Sequence, residues 1–212
     1  MNTTELRDTF RSEFFDTQAP YLVSDQLVYT YIDDAQKMFC RLTEGIEDGR
    51  KFKLEVKATT EWYTLSKAIL KLRRASEIAT GRPVPPIAAE AIDQLGIRFD
   101  GRTGPLKALV TGIEKGKVRV WPVPAVDTPV QLEVFRLPNT VAAGDDLEID
   151  EQHHLALLLW VKHKAYAIHD AETYDRAKSE DYEFRFRNYC ASARTEQNRA
   201  RHSAGTVAYG GI

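Results

Sequence analysis

Residues 24–56 read SDQLVYTYIDDAQKMFCRLTEGIEDGRKFKLEV, and the fold class turns on how their apolar positions are spaced. Val28, Ile32, Ala35, Phe39, Leu42 and Ile46 recur every three or four residues. That spacing draws one apolar stripe along about five turns of helix. Ser24 is placed to cap the helix, and Asp25 sets a negative charge in its first turn, where the helix dipole favours it. Gly45 and Gly49 mark its end. The period then changes to two. Phe52, Leu54 and Val56 alternate with Lys51, Lys53, Glu55 and Lys57, the pattern of a half-buried strand with a charged outer face.

Working outward, Leu6, Phe10 and Phe14 lie along one face of a short helix predicted over Thr4–Phe15, which Gln18, Ala19 and Pro20 bring to an end. Downstream, Trp62–Ile78 fits a helix or, after a turn at Ser66-Lys67, a strand carrying Leu70, Leu72, Arg73 and Arg74. Gly81, Pro83, Pro85 and Pro86 break it, and a short helix is predicted over Ile87–Leu95, closed by Gly96. A meander follows. Leu106–Ile113 and Lys117–Trp121 read as strands joined by Glu114-Lys115-Gly116, a hairpin turn. Pro122, Pro124 and Pro129 make a stiff loop before a third strand carrying Val130, Leu132 and Val134, and Pro138 and Gly144 end the β region.

The C-terminal part is helical. Asp150 is placed as an N-cap, and Leu155–Val161 is apolar on all sides, as in a helix surrounded by protein. After a break near His169-Asp170, Tyr182, Phe186, Tyr189, Cys190 and Ala193 trace a second amphipathic helix to about Arg199. The last ten residues, SAGTVAYGGI, have the composition of a tail. These blocks predict an α+β chain: a helical bundle formed by N- and C-terminal helices, an inserted antiparallel β subdomain, and an extended C-terminal tail. The expected divisions are 1–49 and 145–200 for the bundle, 50–144 for the β-rich insertion and 201–212 for the tail.

Composition narrows the function. Of 212 residues, 43% are hydrophobic and 28% charged, which excludes wholesale disorder. A net charge of −2 argues against a globally basic nucleic-acid binder, though a local patch survives the averaging. The longest apolar run, Leu155–Val161, is far too short to span a bilayer. The N-terminal stretch lacks the apolar core of a signal peptide, so the expectation is a chain made in the cytoplasm and not secreted. Cys40 and Cys190 are expected to be reduced and buried.

No motif points to catalysis. The five histidines include no pair four residues apart with a glutamate between them, and there is no nucleophile elbow. Gly112–Lys117 has the wrong spacing for a phosphate loop, and no GxGxxG is present. No enzyme, cofactor or metal is therefore expected. Two charged groups remain. Asp145, Asp146, Glu148, Asp150 and Glu151 form an acidic cluster that suits a helix start or a partner surface. Arg185, Arg187, Arg194, Arg199 and Arg201 form a basic stretch that suits nucleic acid, an acidic protein surface or a helix C-terminus.

Several segments carry a family resemblance. Glu61–Leu65 followed by Ile69–Ala75, then Lys117–Pro124 with its P-x-P ending, Phe135–Pro138 before an acidic loop, Asp150–Leu157, and Lys164–Tyr166 with Asp170–Glu172 occur in order. Together, over roughly Val28 to Asn198, they resemble the head-to-tail adaptor (head completion, or tail tubular) proteins of short-tailed bacteriophages. Ser66 stands where that family usually has proline. The resemblance reads Ala68–Ala75 as strand. It implies a structural virion protein, assembled in the bacterial host, that forms a ring, typically of twelve copies. The ring would bind the portal protein, extend the channel through which genomic DNA passes without sequence-specific contact, and dock a nozzle or other tail protein. The resemblance implies portal docking by the tail, with Arg199, Arg201, Val207, Tyr209 and Ile212 as its expected contacts. Asp145, Asp146 and Glu148 against Arg185 and Arg187 are the expected subunit or tail interface. The competing readings are a monomeric nucleic-acid-binding or regulatory module using the arginine-rich helix, and a terminator or stopper ring of the same tail.

Overall fold

The computed structural model describes residues 1–94, 102–170 and 172–201. In chain order the helices α1 (Thr3–Phe14) and α2 (Asp25–Thr43) come first. Strands β1 (Ile46–Val56), β2 (Trp62–Thr64), β3 (Ile69–Glu77) and β4 (Pro86–Ala88) follow, then α3 (Ala89–Gln94). Strands β5 (Ala108–Thr111), β6 (Lys117–Trp121) and β7 (Thr128–Arg136) precede α4 (His154–Tyr166) and α5 (Arg176–Arg201). The chain is an α+β mixture that divides into two units, Met1–Glu44 with Pro138–Ile212, and Gly45–Leu137.

In the first unit, α1 opens on a capping box. The Asn2 side chain accepts from the Glu5 amide and the Glu5 carboxylate accepts from the Asn2 amide. Leu6 and Phe10 are buried, and Phe14 stacks between Phe10 and Tyr166, with ring centroids 4.9 Å from each. Helix α2 starts at Ser24, whose hydroxyl accepts from the Leu27 amide at 3.3 Å, and buries Val28, Ile32, Ala35 and Phe39. It ends at Thr43, earlier than the apolar stripe suggested. Glu44 and Gly45 both take positive φ, so Ile46 begins a strand and Gly49 lies inside it.

Two expectations about α4 are corrected. The chain enters it through a 3₁₀ turn, Glu151–His153, and the Asp150 side chain caps neither helix; its carbonyl accepts from the His153 amide at 2.9 Å. Nor is α4 enclosed on all sides. Leu157, Leu158, Trp160 and Val161 are buried, but Leu155 is 57% exposed and Leu159, one turn on, is half-buried. Helix α5 buries Phe186, Cys190 and Ala193, the stripe that its spacing predicts.

The second unit contains two sheets, ordered β1-β7-β3 and β2-β6-β5-β4. Their facing residues share one core: Leu54, Val56, Ala75, Val130, Leu132 and Val134 from the first, Leu109, Val118 and Val120 from the second. The β5–β6 hairpin closes through Gly116 at φ 74°. The insertion is not wholly antiparallel, because β4 runs parallel to β5. Ile87 and Ala88 belong to that strand, which shortens the predicted helix to Ala89–Gln94; Leu95 and Gly96 lie outside the described residues. The third strand also leaves the expected meander. β7 sits between β1 and β3, so Pro129 falls just inside a central strand, at its first turn of pairing, opposite Glu55. The segment open between helix and strand is β2 and β3.

Candidate functional site

The acidic segment is held in place by its own backbone and by the start of α1. The Thr3 amide donates to the Asp145 carbonyl at 3.0 Å, and the Thr3 hydroxyl donates to the Ala142 carbonyl at 2.7 Å. The Asp145 carboxylate accepts from the Ala142 amide at 2.7 Å, closing a turn through Gly144. Glu148 accepts from the Asn139 amide and side chain at 2.7 and 2.9 Å. Leu147 and Ile149 are buried between exposed Asp146, Glu148 and Asp150. Two apolar anchors therefore point inward and turn the acids outward. Alternation over 146–150 is the signal, and the density of charge hides it.

The basic stretch lies along α5. Arg185 and Arg187 are exposed, and each pairs one turn back on its own helix, with Asp181 at 3.7 Å and Glu183 at 2.7 Å. Arg194 pairs with Glu44 at 3.0 Å, tying α5 to the end of α2. Arg199 is exposed near the C-terminal end of α5, and Arg201 is the last residue of that helix. Val207, Tyr209 and Ile212 lie outside the described residues. The structure thus keeps Asp145, Asp146 and Glu148 on one loop and Arg185 and Arg187 on one helix, and no ion pair joins the two groups among the described residues.

The described histidines have structural partners. His153 is buried against the Phe39 ring, with Nδ1 2.9 Å from the Tyr189 hydroxyl. Burial lowers its pKa, against an opposing pull from Asp150 and Glu196. His154 Nε2 donates to the Ile149 carbonyl at 2.9 Å, and His163 Nδ1 lies 3.0 Å from the Ser179 carbonyl. Among the described residues, no group of three or more His, Cys, Asp or Glu side chains is placed to hold a metal ion. No described helix is long and apolar enough to cross a membrane. Cys40 and Cys190 are buried and joined in no disulfide, and burial pushes the Cys190 thiol up to about 12.

One feature escaped the sequence reading: the loop between α1 and α2. Arg11 and Asp16, both nearly inaccessible, pair at 2.7 Å. The Asp16 carboxylate also accepts from the amides of Leu22 and Val23, at 2.9 and 3.2 Å. The Arg11 guanidinium continues to Asp25 and to the Val23 carbonyl, and stacks over Tyr21 at 3.6 Å. The loop is pinned from beneath, while Phe15, at φ 59°, is 91% exposed and Tyr21 and Leu22 are about half so. Phe15 next to Phe14 was the available sign, since neighbours on a helix cannot share one face.

Compared with protein families, residues 1–208 match the model described as SU10 adaptor protein. The chain belongs to the SU10 adaptor protein family. Membership makes it a bacteriophage adaptor, a structural component of the virion that associates with other virion proteins. A search of curated proteins finds no match. In an SU10 adaptor the surfaces that matter are those that meet neighbours. Among the described residues, the outward acids of 145–151, one side of α5 and the pinned loop before α2 are exposed.

Proposed function

We propose that this SU10 adaptor is a head-to-tail adaptor of a short-tailed bacteriophage. Its copies form a ring, of about twelve by the family resemblance drawn above, that binds the portal protein, extends the DNA channel and offers a docking surface to the tail nozzle. The observation that carries this is the family match over residues 1–208, which spans both units. In this reading the helical unit, made from both ends of the chain, is the ring body, and Gly45–Leu137 is the inserted arm that faces a neighbour or the tail.

Portal docking is assigned to Arg199 and Arg201 at the end of α5 and to Val207, Tyr209 and Ile212 beyond it. The subunit or tail interface is assigned to Asp145, Asp146 and Glu148 of one copy facing Arg185 and Arg187 of the next. Charge complementarity there would set register and association rate more than affinity. Arg185 and Arg187 would reach an incoming carboxylate by exchanging exposed partners on their own helix, which costs little because such pairs contribute under about 1 kcal/mol. DNA passes such a channel without sequence-specific contacts. Native mass spectrometry of the chain alone and mixed with its portal protein tests the proposal. A ring, formed alone or on the portal, is expected; a monomer that ignores the portal overturns it.

A further inference from the structure

The loop before α2 presents an exposed aromatic side chain on a backbone that the fold holds in place. Phe15 is 91% exposed, and the buried Arg11–Asp16 pair fixes the backbone on either side of Tyr21 and Leu22. A surface anchor of this kind loses little backbone freedom on binding, a condition that favours a few residues dominating an interface. An aromatic side chain offers about 150–250 Å². Phe15 with the exposed halves of Tyr21 and Leu22 therefore brings on the order of 300–400 Å², near half of the roughly 800 Å² per partner that a stable interface buries. Phe184 is exposed too, but it lies on a helix face flanked by charged residues and no loop holds it forward.

The other unit of the same chain carries a cleft of about 490 Å³, with walls from Pro105, Leu106, Pro124, Ala125 and Val126. Several of its polar groups are paired within the wall. Arg82 donates to the Leu106 carbonyl at 2.8 Å and pairs with Glu77 at 3.5 Å. The Thr80 hydroxyl donates to Glu77 and the Thr128 hydroxyl to the Val126 carbonyl. The walls are mainly apolar, so an apolar side chain entering the cleft is buried against them. Val126, 70% exposed, gains burial from whatever enters.

We infer that the Phe15 loop of one copy seats in the Pro105–Val126 cleft of a second copy. An anchor and a cleft on different parts of one chain make a heterologous contact, the type that closes into a ring when the rotation allows it. The inference rests on the ring reading above and adds to its charged interface an apolar contact between neighbours.

The test is photo-crosslinking of the full-length chain, assembled alone and on its portal protein, with Phe15→p-benzoylphenylalanine. Half of the copies are isotope-labelled, so that links between copies are told from links within one. Links from position 15 to residues 77–82, 104–106 or 124–128 of another copy are expected. Links to the portal, to another virion protein or to any other surface, or no link at all, overturn the inference. Native mass spectrometry of the unsubstituted chain separates the two readings: if a ring forms and Phe15 links elsewhere, only this contact fails, and if none forms, both fail. As a second measurement, Phe15→Ala and Ala125→Trp should each weaken association between copies about 30-fold, the loss of one strong anchor. Both substitutions are at exposed positions. A mixture of the two should recover a single productive contact and stop at a dimer. Association unchanged in both variants overturns the inference.

Discussion

Asp16 is the residue whose loss should be felt most in the helical unit. Its carboxylate is 2% exposed and does three things: it pairs with Arg11 and accepts from the Leu22 and Val23 amides. Asp16→Ala leaves the guanidinium buried, and removing one partner of a buried pair costs about 3–5 kcal/mol. Asp25 still faces Arg11, which favours the lower end of that range. The orphaned amide of buried Val23 costs about 1–3 kcal/mol more. The net expectation is about 4–6 kcal/mol. Asp16→Asn keeps an acceptor for one amide but no charge, and about 1–3 kcal/mol is expected. Urea unfolding followed by helix circular dichroism measures both, with Phe15→Ala as a surface control within about half a kcal/mol. An Asp16→Ala variant within 1 kcal/mol of the parent would refute the reasoning, because the pair would then hold nothing that water could not replace.

Further outcomes follow from other sites. Leu158→Ala, in the buried face of α4, should cost about 2–5 kcal/mol in the same assay, and a parent-like transition would mean that face is not core. Gly45→Ala places a Cβ 2.6 Å from the Arg136 carbonyl at φ 91°, so about 1–3 kcal/mol should be lost by strain alone. Burial opposes ionisation of Asp48, but the Lys51 amide, the Arg136 guanidinium and the Arg50 amide together hold it at about 2. With its folded value below the unfolded one of about 3.9, its contribution of about 2 kcal/mol is present above pH 4 and lost as the pH falls toward 2. Asp48→Asn should flatten that part of an acid titration of stability. His153, lowered by burial, should likewise contribute above its unfolded value and lose that contribution as the pH falls below about 6.5. His153→Gln removing no pH dependence there would count against it. Cys40 and Cys190 should react with a thiol reagent only in denaturant; fast labelling of the native chain would contradict their burial.

Local signals were legible where one side of an element meets protein and the other meets water. The stripe of α2, the capping Ser24, the alternation of β1 and the hairpin at Gly116 could be read directly, because each depends on near neighbours in the chain. The stripe failed at its end, where Ile46 keeps helical spacing by coincidence after two residues of positive φ. Leu155–Val161 misled for a related reason. Seven apolar residues in a row carry no period, so nothing in them reveals that the face through Leu155 stays open. The exposed charges of 145–151 and α5 were legible as charges, but their partners were not. An i,i+4 pair such as Glu183–Arg187 competes with any distant partner, and only geometry decides between them.

The sequence by itself determined the period of α1, α2, β1 and the β5–β6 hairpin, the α+β class and, through ordered segments along most of the chain, the kind of virion protein to expect. Pairing between distant strands was decided only in three dimensions. That β7 inserts between β1 and β3 while β5 and β6 join β2 and β4 depends on which apolar faces can share one core. The Arg11–Asp16 pair belongs to the same class of fact. Two charged residues near a helix end look like solvated surface until the Val23 backbone and Asp25 close over them, and burial is a property of the whole packing. The exposure of Phe15 accompanies that closure, since the loop pinned beneath it leaves the ring largely uncovered by the described residues.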